Sequence, residues 1–191
     1  MEIGVQGFFI IILMIVFSYL LYQYHYYSKI ETIVSTIDNR NYEVQVKNDA
    51  QEAADLIAKI REKLVLLVKH LIKSYPNEDR TEQLKTNFNP DNIKEGIDDP
   101  NYTSYSINKG EQIVLCLRTN NKLTDLNTMM FVVLHELSHI CTKSIGHTTE
   151  FWDNFKWILE EAINIGVYKK QEFKLNNVDY CGIKITDSPL D

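Results

Sequence analysis

The chain has 191 residues, of which 45% are hydrophobic and 24% are charged, and its formal net charge is -6. This charged fraction is ordinary for a folded domain and excludes a protein that crosses a membrane many times, while the acidic balance excludes a broadly basic nucleic-acid-binding coat. The length predicts one main domain that can bury a core without disulfide bonds.

An uncharged apolar segment lies near the N-terminal end of the sequence. Residues 3–28 contain no formally charged side chain, and residues 8–17 are apolar throughout. About 20 helical residues cross the roughly 30 Å hydrocarbon core of a bilayer. Several tyrosines follow, and aromatic side chains favour the membrane–water interface. We therefore predict an uncleaved anchor over residues 1–28, with residues 3–27 in the lipid bilayer. A buried core helix is the alternative interpretation.

The side of the membrane on which the domain lies is predicted from basic residues and cysteines. Lys29, Arg40 and Lys47 follow the apolar segment, and no Lys or Arg precedes it, which places the main domain on the cytosolic side. The three cysteines are widely spaced and form no CxxC pair, a usage typical of a reducing compartment. The glycosylation sequon at residues 101–103 indicates the opposite side.

The next segments predict a connector and then a helical start to the main domain. Residues 29–48 mix charged and β-branched side chains, which predicts a juxtamembrane connector before a domain over residues 49–191. Apolar residues at helical spacing predict a helix from about residue 49 to Ser74, with Asn48 and Gln51 as a possible capping box. We expect His70 on this helix to be a partly exposed surface histidine.

The middle of the chain predicts loops, a short helix and a hairpin. Residues 76–101 are rich in Asn, Asp and Pro around a short helix at residues 81–88. Two strand-like runs, residues 103–107 and 112–118, flank Asn108-Lys109-Gly110, a composition suited to a turn with positive φ. Further helices follow, so the pattern predicts an α+β fold.

The strongest chemical signal is the motif His135-Glu136-Leu137-Ser138-His139. The predicted helix extends from about residue 125 to residue 144, with Thr124 or Asn127 as its N-cap. On a helix, His135 and His139 lie one turn apart on one face, so both imidazoles can reach one zinc ion. Glu136 is rotated about 100° from His135, where its carboxylate can transfer protons beside the metal.

A catalytic zinc site needs a third protein ligand, and the next turn offers one. Gly146 can adopt the left-handed conformation that ends a helix, and the turn would bring His147 back toward His135 and His139. Thr148 or Thr149 then caps a last helix over residues 150–165 that packs behind the motif. The predicted apolar side of that helix comprises Phe151, Trp152, Phe155, Ile158, Leu159, Ala162 and Ile163.

The motif and the segment Gly146-His147-Thr148-Thr149-Glu150-Phe151-Trp152 resemble the WLM/SprT-like group of zincin metallopeptidases. That group has an HExxH motif, a histidine from a following turn and an aromatic-rich helix. With residues 87–90 and 180–183, the layout resembles WLM-type proteins of large DNA viruses. The resemblance implies a zincin-like core of helices packed on a small β-sheet. It also implies that His135, His139 and His147 bind Zn²⁺ and that Glu136 is the general base of peptide hydrolysis.

The sequence thus predicts a membrane-anchored zinc metallopeptidase that acts on a protein or peptide substrate, with its domain on the cytosolic or virion-interior side. Cellular members of the group repair DNA–protein crosslinks, but this chain has no basic cluster, so we expect no nucleic-acid partner. Tyr168 and Tyr180 are candidate donors to the oxyanion, although a structural role is favoured for each.

The alternative is a membrane-anchored structural or assembly protein, with either a non-catalytic zinc site or an inactive metallopeptidase fold. A structural zinc site closes all four coordination positions with protein ligands. A fourth ligand would come from Cys141 or Cys181. Cys141 lies two residues after His139 and should face away from the metal, which leaves Cys181 as the better candidate.

Overall fold

The computed structural model describes residues 4–97 and 103–191, which form five helices and nine short strands. The helices are α1 (Val5–Tyr27), α2 (Ala50–Ser74), α3 (Asp79–Asn87), α4 (Leu126–Cys141) and α5 (Thr149–Asn164). The strands are β1 (Ile30–Val34), β2 (Asn41–Gln45), β3 (Ile93–Glu95), β4 (Tyr105–Ile107), β5 (Gln112–Leu115), β6 (Arg118–Thr119), β7 (Lys122–Leu123), β8 (Val178–Tyr180) and β9 (Ile183–Ile185). The predicted α+β class is confirmed. Asn101 and Tyr102 of the sequon lie outside the described residues.

Helix α1 is a candidate membrane span by its length and composition. Its apolar part, Gln6–His25, has 20 residues, and no part of it is buried against the rest of the protein. Leu13, for example, is 66% exposed. The alternative interpretation as a buried core helix is therefore wrong.

The predicted connector over residues 29–48 is instead a β-hairpin that belongs to the folded domain. Strands β1 and β2 pair antiparallel, with Ile30 opposite Gln45, and Tyr42 and Val44 of β2 are buried in the core. Asp55 of α2 accepts hydrogen bonds from residues in the hairpin turn, including the Ser35 hydroxyl at 2.7 Å. The sequence pattern did not reveal the hairpin, because β1 is only half-buried and its sequence carries little alternation.

Helix α2 forms where the apolar spacing predicts it, but its N-terminus differs from the prediction. Asp49 is the N-cap residue and makes no side-chain capping bond. The expected capping box of Asn48 and Gln51 is absent at this helix end, because the Gln51 amide donates instead to the Val34 carbonyl at 3.1 Å. Tertiary contact with the hairpin thus replaces the local cap.

The three-stranded sheet has the order β3-β5-β4. Strand β4 pairs antiparallel with β5 as predicted, whereas β3 pairs parallel with β5, a long-range contact that local pattern does not reveal. Between β4 and β5, Asn108, Lys109 and Gly110 all have positive φ, which confirms the predicted turn. A Cβ at Gly110 would lie 2.6 Å from the Asn87 carbonyl oxygen, so only glycine fits there.

A buried ion network joins this sheet to the start of α2. The Arg118 guanidinium forms a hydrogen-bonded ion pair with the fully buried carboxylate of Glu95. It also donates a hydrogen bond to the Asp49 carboxylate at 2.7 Å. The backbone N–H of Gln45 donates to the same Glu95 carboxylate at 2.8 Å. Because a buried charge is tolerated only when it is paired and hydrogen-bonded, the network fixes β2, β3, β6 and α2 relative to one another.

The cysteine prediction is corrected by a disulfide bond between Cys116 and Cys181, whose Cα atoms are 6.3 Å apart. The bond attaches the C-terminal hairpin β8–β9 to the segment after β5. Cys181 and Gly182 form the two-residue turn of that hairpin, and both have positive φ. Cys141 is the free and buried cysteine. The inference of a reducing compartment from cysteine usage therefore loses its basis.

The disulfide makes a testable prediction about thiol content. Protein trapped with an alkylating reagent at lysis and then unfolded without reductant should react at one thiol, Cys141, and at three thiols after reduction. Mass spectrometry of the labelled protein measures both numbers. Three reactive thiols before reduction would contradict the disulfide.

Candidate metal centre

Helix α4 carries two of the predicted metal ligands in the centre of the domain. Its N-cap is Asp125, whose carboxylate accepts from the backbone N–H groups of Asn127 and Thr128 at 3.0 Å each. The predictions of Thr124 and Asn127 as caps are wrong, since the acidic residue between them has the extended backbone and the acceptor that a cap needs. The helix ends at Cys141, before the predicted Ser144.

The structure brings all three predicted ligands together. The ring centroids of His135, His139 and His147 are 4.9–5.0 Å apart in each pair, and one ring nitrogen from each lies within 4.8 Å of the other two. The Nε2 atoms of His135 and His147 are 3.0 Å apart. Two Zn–N bonds of about 2.0–2.1 Å at a tetrahedral angle place their nitrogens about 3.4 Å apart. The three donors therefore fit one metal ion.

His147 reaches this point from the loop between α4 and α5. Gly146 has φ +83°, as the predicted chain reversal requires. Thr148 caps α5, as predicted, by accepting from the backbone N–H of Phe151 at 3.4 Å. The loop itself is mostly exposed, with Ile145 at 89% exposure. The position of His147 thus depends on polar contacts and on the start of α5.

Phe151 is the common support of the three imidazoles. Its ring centroid lies 4.9 Å from that of His135, 4.3 Å from that of His139 and 4.7 Å from that of His147, and its side chain is fully buried. Aromatic contacts at these separations are favourable and fix ring orientation. The predicted packing of the last helix behind the motif is confirmed.

Two residues of the predicted apolar side of α5 face solvent. Trp152 is 43% exposed and Ile163 is 36% exposed, while Trp157, which the prediction omitted, is largely buried. Trp152 nevertheless contacts the third predicted ligand, with its ring centroid 5.6 Å from that of His147.

Burial keeps the two helix histidines in their neutral form. Loss of hydration lowers the pKa of His135 to about 3, with smaller contributions from His139 and His147. Loss of hydration likewise lowers the pKa of His139 to about 4. A neutral imidazole is the form that binds a metal ion, so at neutral pH these rings need not lose a proton before they bind one.

Glu136 lies beside the three histidines with its side chain buried. The hydroxyl and the backbone N–H of Ser106 on β4 interact with this carboxylate and favour its charged form. Burial raises the pKa of Glu136 to about 8 in the metal-free protein, and a nearby cation would favour the carboxylate and oppose this shift. The contact with Ser106 was not predicted, because the motif does not show which strand faces the helix.

A cavity of about 730 Å³ opens onto His135, Glu136, His139 and His147. Its apolar lining from α4 and β9 comprises Phe131, Val132, Ile183 and Ile185. Its polar lining from the β4–β5 turn and the loop after α4 includes Asn108, Lys109 and Ser144. The three histidines and Glu136 therefore face a space with both apolar and polar walls.

The two tyrosines considered as oxyanion donors have other surroundings. Tyr180 lines the cavity, but its hydroxyl donates to the Cys116 carbonyl at 2.9 Å and contacts the Ser104 hydroxyl at 2.5 Å. Its proton is thus already used in fixing the C-terminal hairpin. Tyr168 is buried against Phe131 and is not part of the cavity lining.

Comparison with known proteins identifies the family of this domain. A sequence model of the WLM domain matches residues 32–188. The chain belongs to the WLM-domain family. This match begins inside β1, in agreement with the packing of the β1–β2 hairpin on the domain.

Relatives of this WLM-domain chain occur in large DNA viruses. It is 28% identical over 169 residues to an uncharacterized protein of Acanthamoeba polyphaga mimivirus, an alignment that covers 85% of this chain and 86% of that protein. It is 40% identical over 82 residues to an uncharacterized protein of Invertebrate iridescent virus 3, covering 42% and 50% of the two. The chain is a WLM-domain protein of the type found in large DNA viruses.

The solved structures of yeast Wss1 have a related fold. A mutant of Wss1 from Saccharomyces cerevisiae matches with a TM-score of 0.50 and 22% identity, over 65% of this chain and 88% of that chain. At this identity the similarity supports the fold alone.

The support that Phe151 gives to the three imidazoles can be tested by truncation. Phe151→Ala should lower the free energy of unfolding by about 3–5 kcal/mol, because it opens a cavity under the three rings. Trp152→Ala, on the next residue of the same helix, should cost clearly less because Trp152 is 43% exposed. Denaturant unfolding measures both changes. Equal costs for the two variants would contradict the assigned role of Phe151.

Proposed function

We propose that this WLM-domain protein is a zinc-dependent metallopeptidase anchored to a membrane by α1. The observation that carries the proposal is the convergence of His135, His139 and His147 beside the buried Glu136, all at the wall of one cavity. Membership of the WLM-domain family supports the same reaction class.

The donor set favours zinc in a catalytic rather than a structural role. Imidazole nitrogen is a preferred zinc ligand, and three protein ligands leave one coordination position open. Within residues 4–97 and 103–191, the converging metal-ligating group consists of these three histidines. Cys181 is held in the disulfide and Cys141 is buried and lies outside this group. Both cysteines of the structural alternative are therefore disfavoured as fourth ligands.

The residues around the metal position have distinct roles in peptide hydrolysis. A bound zinc ion supplies an activated water and polarises the scissile carbonyl. Glu136 accepts a proton from the attacking water and delivers it to the leaving amine nitrogen, so that each C–N bond broken yields one carboxylate and one amine. The hydroxyl and backbone N–H of Ser106 favour the charged form of the Glu136 carboxylate, which is the form that can accept this proton.

A protein or peptide substrate fits the site better than a nucleic acid. The cavity of about 730 Å³ combines apolar side chains with polar groups, which suits the mixed surface of a polypeptide. The formal net charge of -6 would repel a phosphate backbone rather than neutralise it.

The general-base role is tested by Glu136→Gln, which keeps the side-chain volume but cannot take the proton. Its peptidase rate should fall by about 10²- to 10⁴-fold, while zinc stays bound at one ion per chain. Peptide-library digestion and metal analysis of the full chain in detergent measure these two quantities. Glu160→Gln on the exposed face of α5 is the matched control and should keep the wild-type rate. Normal cleavage by Glu136→Gln would contradict the assignment.

The membrane anchor and its orientation form a separate part of the proposal. Helix α1 is long and apolar enough to span a bilayer, and the basic residues on its C-terminal side favour a domain on the cytosolic or virion-interior side. The disulfide is typical of an oxidising compartment and so counts against that side, and the proposed orientation depends on the basic residues alone.

Protease protection tests this orientation. In sealed vesicles whose cytosolic face is outward, an added protease should digest the domain and leave a fragment of about the size of α1. Detergent-opened vesicles provide the control for accessibility. A fully protected domain, or an N-linked glycan on Asn101, would contradict the proposed side.

A further inference from the structure

The loop that carries His147 has little apolar burial to fix it. Helix α4 ends at Cys141 and α5 begins at Thr149, and between them Ile145, Gly146 and His147 are all exposed. Fixing the backbone of each residue costs about 1–2 kcal/mol in conformational entropy. Some other interaction must therefore hold this loop, which we call the ligand loop and define as residues 142–148.

The ammonium group of Lys109 binds the carbonyl side of the ligand loop. Its Nζ donates to the carbonyl oxygens of Thr142 at 2.6 Å, Lys143 at 2.5 Å and Ser144 at 3.1 Å. All three N–H donors of the ammonium are thus used. These carbonyls lie just after the C-terminus of α4, where the helix dipole favours a cation.

The backbone of Lys109 is itself firmly placed. It lies in the β4–β5 turn with φ 54°, next to Gly110, which has no room for a side chain. The Asn108 amide donates to the Glu111 carboxylate at 2.6 Å across the same turn. The ligand loop is therefore attached to the three-stranded sheet and not only to its own flanking helices.

The carboxylate of Glu150 binds the amide side of the same segment. It accepts from the backbone N–H of Lys143 at 3.0 Å and from that of Ser144 at 3.1 Å. The hydroxyls of Ser144 and Thr148 contact each other at 2.6 Å. Lys109 in the β4–β5 turn thus binds the carbonyl groups of residues 143 and 144, and Glu150 of α5 binds their backbone N–H groups. Residue 144 lies three positions before His147.

We propose that Lys109 and Glu150 are positioning residues that preorganise the ligand loop and thereby set the affinity of the three histidines for zinc. The inference depends on the zinc site of the proposed function but not on its peptidase activity. Residues that orient metal ligands typically contribute about 10- to 100-fold to metal affinity. Lys109→Met should therefore raise the zinc dissociation constant by about that factor.

The direction of the change in zinc affinity distinguishes the loss of loop positioning from the loss of the lysine charge. Lys109 is a cation beside the histidines, and its charge acts on the His139 imidazole. Removing a positive charge near a metal site would by itself tighten zinc binding. Weaker zinc binding in Lys109→Met can therefore come only from the loss of loop positioning.

The experiment is a zinc competition titration with a chromogenic chelator on the metal-stripped full chain in detergent. Lys109→Met and Glu150→Gln should both weaken zinc binding, and Lys109→Arg should restore part of the affinity because it keeps the charge and several donors. The double variant should lose less than the product of the two single effects, since both residues hold one segment. Unfolding curves confirm that each variant is folded before its titration.

Two exposed residues of α5 provide matched controls. Lys156→Met removes an exposed lysine from α5, and Asp153→Asn removes an exposed acid from the start of the same helix. Both should bind zinc as the wild type does.

The outcomes separate the two proposals. Equal or tighter zinc binding by folded Lys109→Met, with a wild type that binds one zinc, would overturn the positioning role alone. If Lys109→Met fails to fold, unchanged affinity in Glu150→Gln would overturn it instead. A wild type that binds no zinc would overturn the proposed function itself.

Discussion

The contact of the Phe151 ring with three imidazoles is the interaction on which the rest of the site depends. His135 and His139 lie one turn apart on α4, whereas His147 comes from an exposed loop. The buried ring of Phe151 contacts all three imidazoles and so links the loop histidine to the two helix histidines. Because Phe151 is fully buried on α5, the packing of α4 against α5 fixes the surface that the three imidazoles contact. This supporting ring is packed as closely as the rest of the core.

The C-terminal segment completes the site from the opposite side. The disulfide attaches Cys181 to Cys116, and the neighbouring Tyr180 hydroxyl bonds the Cys116 carbonyl. These two bonds hold β8 and β9 next to the segment after β5, although each strand is only three residues long. From that position β9 supplies Ile183 and Ile185 to the cavity wall. A short hairpin could not hold this place by its own pairing.

The sequence predicted those parts of the structure that local rules determine. Helical spacing located α2, α4 and α5, the i, i+4 rule placed His135 beside His139, and glycine chemistry predicted the turn before His147. The sequence did not predict the parts that depend on distant partners. The parallel pairing of β3, the disulfide, and the contacts of Ser106 with Glu136 and of Lys109 with the ligand loop join residues far apart in the chain, and no local pattern records them.

The most direct test of the account is X-ray absorption at the zinc edge on the zinc-loaded full chain. Three imidazole nitrogens and one oxygen at about 2.0–2.2 Å, with no sulfur, are the coordination shell that the structure predicts. A sulfur scatterer at about 2.3 Å, or a shell with fewer than three imidazoles, would contradict the convergence of His135, His139 and His147 on one open metal position.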